Sequence, residues 1–288
     1  MTFKKLLLPF KKISWKTPSF GHSPAGTIQG SYMLNLGCGA NFHPMWANFD
    51  VSPVNKSIAK IDLNQPLALP RREYRVCYLS HVLEHLSRGR AGCLLHEIYG
   101  FLTSGGVVRV VVPDLEIICR RYLEELHKAD HGEPESVGRH EWMTMELIDQ
   151  MTRTVSGGFM GRLWWSRPLP SREFIVSRLG EEAGKWLDQI DAEIQKGAKP
   201  LAKQDIYQSP KPKEKEIVRF REQGEIHQWM YDRVSLKRLL EEAGFESVKV
   251  CGPTESRIPD FASYHLDTNE KGETRKPDSL FMEAVKSG

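Results

Sequence analysis

The feature that most constrains this chain is Tyr32-Met33-Leu34-Asn35-Leu36-Gly37-Cys38-Gly39-Ala40. An apolar run ends in two glycines separated by one residue. The run reads as a buried parallel strand, because such strands are apolar on both faces. The glycines let the backbone turn sharply and approach a ligand closely, since neither carries a Cβ. Eleven residues after Gly39 comes Asp50, closing a short extended run, Ala47-Asn48-Phe49-Asp50. A glycine turn after a first strand, with an acid ending the second, is how open α/β sheets hold a nucleoside. The dinucleotide version needs three glycines and an acid about 20 residues on, so the spacing here points to another kind of nucleoside.

The pattern continues along the chain. We read strands at 32–36, 47–50, about 57–62 and 75–80, then a helix from about Ser87 to Leu102 with Leu94, Leu95, Ile98 and Leu102 at helical spacing. Gly105-Gly106 break that helix, and a strand apolar but for Arg109, Val107–Val112, follows. Strands alternating with helices predict βαβ units and a mostly parallel sheet. The rhythm then stops. Over 115–225 the sequence predicts helices at Leu115–His127, at Glu141–Thr154 with Trp142, Met145, Ile148 and Met151 on one face, and one long amphipathic helix over Ser171–Lys196. The stretch from Pro210 to Glu216 reads as a charged, solvated linker. A helix over Ser235–Ala243 stopped by Gly244, a strand over Phe245–Cys251 and a last strand over Ser279–Val285 restore the α/β pattern.

Three parts follow: a basic tail and linker over 1–31, a core over 32–114 and 226–288, and a helical insertion over 115–225 that is expected to act as a lid or acceptor-binding cap. Residues 1–17 carry Lys4, Lys5, Lys11, Lys12 and Lys16 among Phe3, Leu6, Leu7, Leu8, Phe10, Ile13 and Trp15, with no acid. Such a segment is either a disordered tail or a peripheral contact with an anionic membrane surface. The 288-residue chain has a net charge of +3, too small by itself to argue for nucleic acid. Its five cysteines, Cys38, Cys77, Cys93, Cys119 and Cys251, have no metal-finger spacing and read as reduced thiols of a cytoplasmic protein.

Ser80-His81-Val82-Leu83-Glu84-His85-Leu86 is the second informative stretch. His81 and His85, at i and i+4, would share a face of a helical turn with Glu84 adjacent. His-x-x-Glu-His is also an inverted zinc-protease signature, but that needs a helix where this sequence has a strand. Asp114, Asp149 with Arg153 at i+4, and the run His227-Gln228-Trp229-Met230-Tyr231-Asp232 are further candidates. Asp114 is expected to face the cleft. The Asp149–Arg153 pair is most simply a surface helix pair. His227 is the candidate partner of the His81/Glu84/His85 cluster.

Asn-Leu-Gly-Cys-Gly-Ala-Asn, Trp-x-Asn-x-Asp, Ser-His-Val-Leu-Glu-His and Arg-Val-Val-Val-Pro-Asp together resemble class I S-adenosylmethionine-dependent methyltransferases of the UbiG-like, type-11 group, and within it a bacterial branch linked to surface-polysaccharide assembly. The resemblance covers roughly 32–114 and 226–286. It implies a Rossmann-like sheet of seven strands, an S-adenosylmethionine site at Asn35, Gly37, Cys38, Gly39, Asp50, Asp62 and Ser80, and acceptor chemistry at His81, Glu84 and His85. Asp50 would grip the ribose hydroxyls and Asp62 would sit near the adenine, although a turn acid explains Asp62 equally well. In small-RNA 2′-O-methyltransferases the matching turn supplies Glu and His to a divalent metal. Here His81 replaces one acid. The candidate ligands are His81, Glu84, His85 and His227, a set that favours zinc or another transition ion over magnesium. Without a metal, an imidazole can act as the base, since its ordinary pKa lies near 6.5. The expected reaction is O-methylation of a saccharide or glycan-type hydroxyl. The alternatives are an RNA methyltransferase using Arg71, Arg72, Arg88, Arg90, Arg120 and Arg121 on phosphates, and a non-catalytic binding module of the same fold.

Overall fold

The computed structural model describes residues 32–69, 73–208 and 212–288. The basic tail, and Arg71 and Arg72, lie outside the described residues. In chain order the elements are β1 (Met33–Leu36), β2 (Ala47–Asp50), β3 (Ile58–Lys60), β4 (Tyr74–Ser80), α1 (Arg88–Phe101), β5 (Leu102–Pro113), α2 (Leu115–Asp130), α3 (Pro134–Thr152), α4 (Gly158–Trp164), α5 (Arg172–Leu179), α6 (Glu181–Gln195), α7 (Lys203–Ile206), α8 (Glu214–Glu222), α9 (Arg233–Glu242), β6 (Glu246–Cys251) and β7 (Ser279–Val285).

The seven strands form one sheet in the order β3-β2-β1-β4-β5-β7-β6. The pairs from β3 through β5 are parallel, and β7 runs antiparallel to both β5 and β6. The expected seven-stranded, mostly parallel sheet is therefore present. Leu34, Cys77, Val108 and Val110 face α1 and α9, whose Leu94, Leu95, Ile98, Leu236 and Leu240 complete a continuous apolar cluster. Each such side chain contributes about 1.5–3 kcal/mol on burial. Ser87 caps α1 by accepting from Arg90 N–H, and Asp232 caps α9 by accepting from Val234 and Ser235 N–H.

Several expectations fail for definable reasons. No described helix lies between β1, β2, β3 and β4. The ten residues between Leu36 and Ala47 cannot hold a helix and both its turns, since a βαβ crossover needs about a dozen or more. The other sheet face is covered instead by Trp46 and by Ile258, Phe261 and Leu266 of the segment before β7, packed on Val76, Tyr78 and Phe281. Gly105 and Gly106 do not end α1. They sit inside β5, at φ +74° for Gly105, where the pairing with β4 slips between Tyr74 and Val76.

The insertion has its own core, built from Ile118, Trp142, Met143, Met145, Leu163, Ile175 and Leu187. The single helix expected over Ser171–Lys196 is two helices, broken at Gly180 (φ +82°). A Cβ there would lie 2.1 Å from the Arg275 carbonyl oxygen, so this position admits only glycine. The break turns Leu187 inward and leaves Trp186 exposed. In α3 Ile148 is likewise exposed, and Asp149 takes the inner face. The charged segment read as a linker enters α8 from Glu214. The insertion leaves and returns at one point: Asp114 bridges to Tyr231, and Leu115 N–H donates to Tyr231 C=O at 2.9 Å. That point lies beyond the C-terminal end of β5, beside the end of β4, where open α/β sheets bind ligands.

Candidate active site

Two cavities meet at the C-terminal ends of β1 and β4. The first, about 600 Å³, is lined by Asn35, Gly37, Cys38, Gly39, Ala40, Asn41 and Ser80, by Asp267 and Arg275, and by Glu181, Glu182 and Lys185 of α6. The second, about 490 Å³, lies between the core and the insertion, with His85, His227, Arg153, Trp164, Trp186 and Asp278 among its walls. His81, Glu182 and Lys276 line both. Both volumes suit a bound small molecule.

The glycine turn is a formed cradle. Gly37 and Gly39 have φ of +70° and +53°, which any L side chain would find strained. A Cβ on Gly39 would meet nothing within 4 Å, so that glycine leaves open space where the residue lines the cavity. Asp50 Oδ2 accepts from Gly39 N–H at 2.8 Å and Oδ1 from Ser52 N–H at 2.8 Å. Asp50 thus braces the turn from below and keeps a lone pair on each oxygen. Asn35 is buried, its amide donates to Asn48 Oδ1 at 3.0 Å, and its own Oδ1 has no hydrogen-bond partner. The Cys38 thiol is pushed up to about 12, by burial first and by the Asp50 charge second, and stays protonated at neutral pH. Glycine cradle, orphaned amide oxygen and bracing acid together fit a nucleoside with an amino-acid arm. Asp62 lies past β3 and closes a turn by accepting from Asn64 N–H at 2.9 Å; like Asp50, it is not among the residues lining either cavity, but unlike Asp50 it makes no hydrogen bond to the glycine turn.

The histidine turn also differs from expectation. His81 and His85 do not share a helix face, because only Leu83–His85 form a turn of 3-10 helix and His81 stands at φ +54°. Left-handed backbone in a residue other than glycine costs about 1–2 kcal/mol and collects at functional sites. Its consequence here is directional. His81 Nδ1 comes to 3.1 Å from Glu84 Oε1, and Nε2 to 2.9 Å from Ser279 Oγ. Glu84 is 1% exposed. The His81 contact is in range but misaligned, so neither Glu84 oxygen has a well-formed hydrogen bond. Burial alone would raise the Glu84 carboxyl, but the neighbouring imidazoles, His81 foremost, outweigh it and hold it down to about 2.

His227 does join this cluster. Its loop is pinned by Gln228 N–H donating to Glu84 C=O at 2.6 Å and by His227 N–H donating to Gln150 C=O at 2.9 Å. The His85 and His227 rings meet edge to face at 4.9 Å. Burial pulls His227 down to about 3, which keeps it neutral.

Asp114 does not face the cleft: it caps α2, accepting from Glu116 and Ile117 N–H. Asp149 and Arg153 pair at 2.8 Å, but Asp149 is buried and Arg153 partly so rather than on the surface, and Asp149 also accepts from Phe159 N–H at 2.8 Å at the start of α4. Arg153 then reaches Glu225 at 3.2 Å and lines the second cavity. Sequence reading missed the floor of the first cavity. Asp267 is buried there, accepting from Tyr78 Oη at 2.6 Å and paired with Arg109 at 2.7 Å. Arg109, 0% exposed, also pairs with Glu283 at 2.8 Å, directly opposite it in the β5–β7 register. Burial, and then the Asp267 charge, raise the Tyr78 phenol well above its ordinary value. The available signal was one arginine within Val-Val-Arg-Val-Val and one glutamate within Phe-Met-Glu-Ala-Val.

The seven-stranded, mostly parallel sheet with its antiparallel β7 is the Rossmann-like sheet that the resemblance to class I methyltransferases implied. No protein-family model matches the sequence. No curated protein matches it. Among solved structures, it is similar to human N-acetylserotonin methyltransferase in complex with SAM (13% identity, 89% of this chain and 47% of that one, TM-score 0.37). It is also similar to SAM-dependent methyltransferases from Thermotoga maritima (11%, 88% and 82%, 0.37) and Archaeoglobus fulgidus (12%, 88% and 85%, 0.36). This chain therefore spans about half the length of the human protein.

Proposed function

We propose that this chain is an S-adenosylmethionine-dependent methyltransferase that methylates a hydroxyl of a saccharide or glycan-type acceptor. The observation that carries the reading is the place of His81: it lines both cavities and stands against a buried carboxylate. The Gly37–Gly39 turn, Asn35, Ser80 and Asp50 hold the cofactor. When bound, S-adenosylmethionine supplies an electrophilic methyl group on a sulfonium centre. Because the electrophile is already strong, the protein must align the acceptor oxygen and take its proton.

Glu84 favours the His81 tautomer with hydrogen on Nδ1, which leaves a lone pair on Nε2. In this structure Ser279 Oγ–H occupies that lone pair. An acceptor hydroxyl in the second cavity would replace it and give its proton to Nε2. Glu84 is then a positioning residue that stabilises the imidazolium, a nucleophile–base–orienter arrangement in which the acceptor is the nucleophile. The Nδ1–Oε1 contact would tighten with acceptor bound, as catalytic hydrogen bonds often do.

The second cavity supports a sugar ring as acceptor. Trp164 and Trp186 offer flat apolar faces, while Arg153, Glu225, Lys276 and Asp278 offer polar groups around them. Membership of the type-11 group and of a surface-polysaccharide branch remains part of this proposal.

The test is calorimetry with S-adenosylmethionine, followed by transfer of labelled methyl to fractionated glycans, lipid-linked glycans and RNA. His81→Asn suits the comparison, because asparagine tolerates left-handed backbone. It should keep cofactor affinity and lose transfer by about 10²–10⁴-fold. Absence of cofactor binding, full activity of His81→Asn, or label passing into RNA alone would overturn the reading.

A further inference from the structure

We propose that Glu84, His85 and His227 form a site for one divalent transition-metal ion, of the zinc class, beside the second cavity. The three residues offer one ligand atom each, all within 4.8 Å of one another. They come from two segments far apart in sequence, the turn at 84–85 and the loop at 227, which hydrogen bonds fasten together: Gln228 N–H donates to Glu84 C=O at 2.6 Å, and Gln228 Nε2 donates to His85 C=O at 2.8 Å.

The donor atoms are also in the right state. His85 Nδ1 lies 3.1 Å from Ile226 C=O, an acceptor only. Nδ1 therefore carries a hydrogen, and in the neutral ring Nε2 offers a lone pair, 4.0 Å from Glu84 Oε1. This is the outer-sphere device that orients metal-binding histidines elsewhere. His227 is 4% exposed with its Nδ1 unpartnered, and Glu84 is 1% exposed with only the misaligned His81 contact on Oε1 and nothing on Oε2. Buried polar atoms without partners are costly and call for a cause. One cation would give a partner to a Glu84 oxygen and a His227 nitrogen at once.

The donors, up to 4.8 Å apart, must draw in on binding. Bonds of about 2.0–2.2 Å to N and O put neighbouring tetrahedral donors roughly 3.4 Å apart. Two imidazoles and one carboxylate select a transition ion over magnesium, which demands an octahedron of oxygens. Three protein ligands leave one position open, and His85 and His227 both line the second cavity, so that position is reached from there. His81 stays outside the set, its Nε2 taken by Ser279 and its Nδ1 turned to Glu84.

The site stands on this geometry alone and survives if the methyl-transfer reading fails. The test strips the full chain with a chelator, then titrates Co²⁺, Zn²⁺ and Mg²⁺, reading the visible Co²⁺ spectrum and metal content after dialysis. One Co²⁺ per chain is expected, with the intense bands of a low-coordinate site, displaced by Zn²⁺ and not by Mg²⁺. His85→Gln and His227→Gln should each weaken binding by at least about tenfold, while His81→Asn should bind as wild type does. If the buried His227→Gln variant fails to fold by circular dichroism, His85→Gln, at a partly exposed position, decides. Absence of stoichiometric binding of Co²⁺ or Zn²⁺, or undiminished binding by His85→Gln, overturns the proposal. Cofactor calorimetry on the same stripped chain tests the methyltransferase reading separately.

Discussion

Gly37→Ala separates two reasons for a glycine at one position. Its φ of +70° would hold alanine in left-handed backbone, at about 1–2 kcal/mol. The new Cβ would also lie 2.4 Å from Val82 Cγ2. Val82 is buried, so its methyl cannot simply swing into solvent. Forcing an extra carbon into such a contact costs about 1–3 kcal/mol. The expected loss is therefore about 2–5 kcal/mol, read as a lower urea midpoint at constant slope. Val82→Ala in the same chain should recover the steric share and none of the backbone share, giving a coupling of about 1–3 kcal/mol in the double-mutant cycle. Gly39→Ala, whose Cβ meets nothing within 4 Å, should show the backbone share alone. Val82 directly follows His81, so the cofactor turn and the histidine turn touch at this point. A Gly37→Ala chain within about 0.5 kcal/mol of wild type, or a double variant that is merely additive, would refute the claim that packing against the histidine turn selects this glycine.

Asp50→Ala removes the acceptor for Gly39 N–H and should weaken S-adenosylmethionine binding by at least about tenfold, a loss of one charge-assisted hydrogen bond; unchanged calorimetry would count against the cradle. Asp232→Ala should cost about 1 kcal/mol of stability at neutral pH as a lost helix cap. The Ser235 N–H, foremost among its partners, lowers the Asp232 carboxyl in the fold, so its contribution is complete above the ordinary carboxylate range and fades as pH falls through the lowered value. Urea melts of variant and wild type should thus converge in strong acid; a gap that persists there would contradict the assignment. Cys38, its thiol held up to about 12, should alkylate with iodoacetamide at pH 7.5 more slowly than a model thiol, and rapid modification would show that its burial is overstated.

The sheet was legible because its strands are largely apolar, as the runs at Leu34–Leu36 and Val107–Val112 are apart from Asn35 and Arg109, and a buried sheet explains that. The glycine turn and the bracing Asp50 were legible because they are close in sequence and each does one backbone task. Gly180 was not, because what forbids a Cβ there is the carbonyl of Arg275, far along the chain. Helical periodicity alone ran straight through it and joined two helices into one. Arg109 and Glu283 looked like lone charges in apolar strands until the β5–β7 register set them face to face.

Local sequence thus determined the strands, the cradle and the presence of two histidines and a glutamate after β4, since these depend on neighbours a few residues away. Tertiary structure decided what those side chains do. The left-handed backbone at His81 aims one imidazole between the two cavities, and a loop returning from the insertion brings His227 beside Glu84 and His85. Neither is written in spacing, because each is a contact between segments that meet only when the sheet has closed.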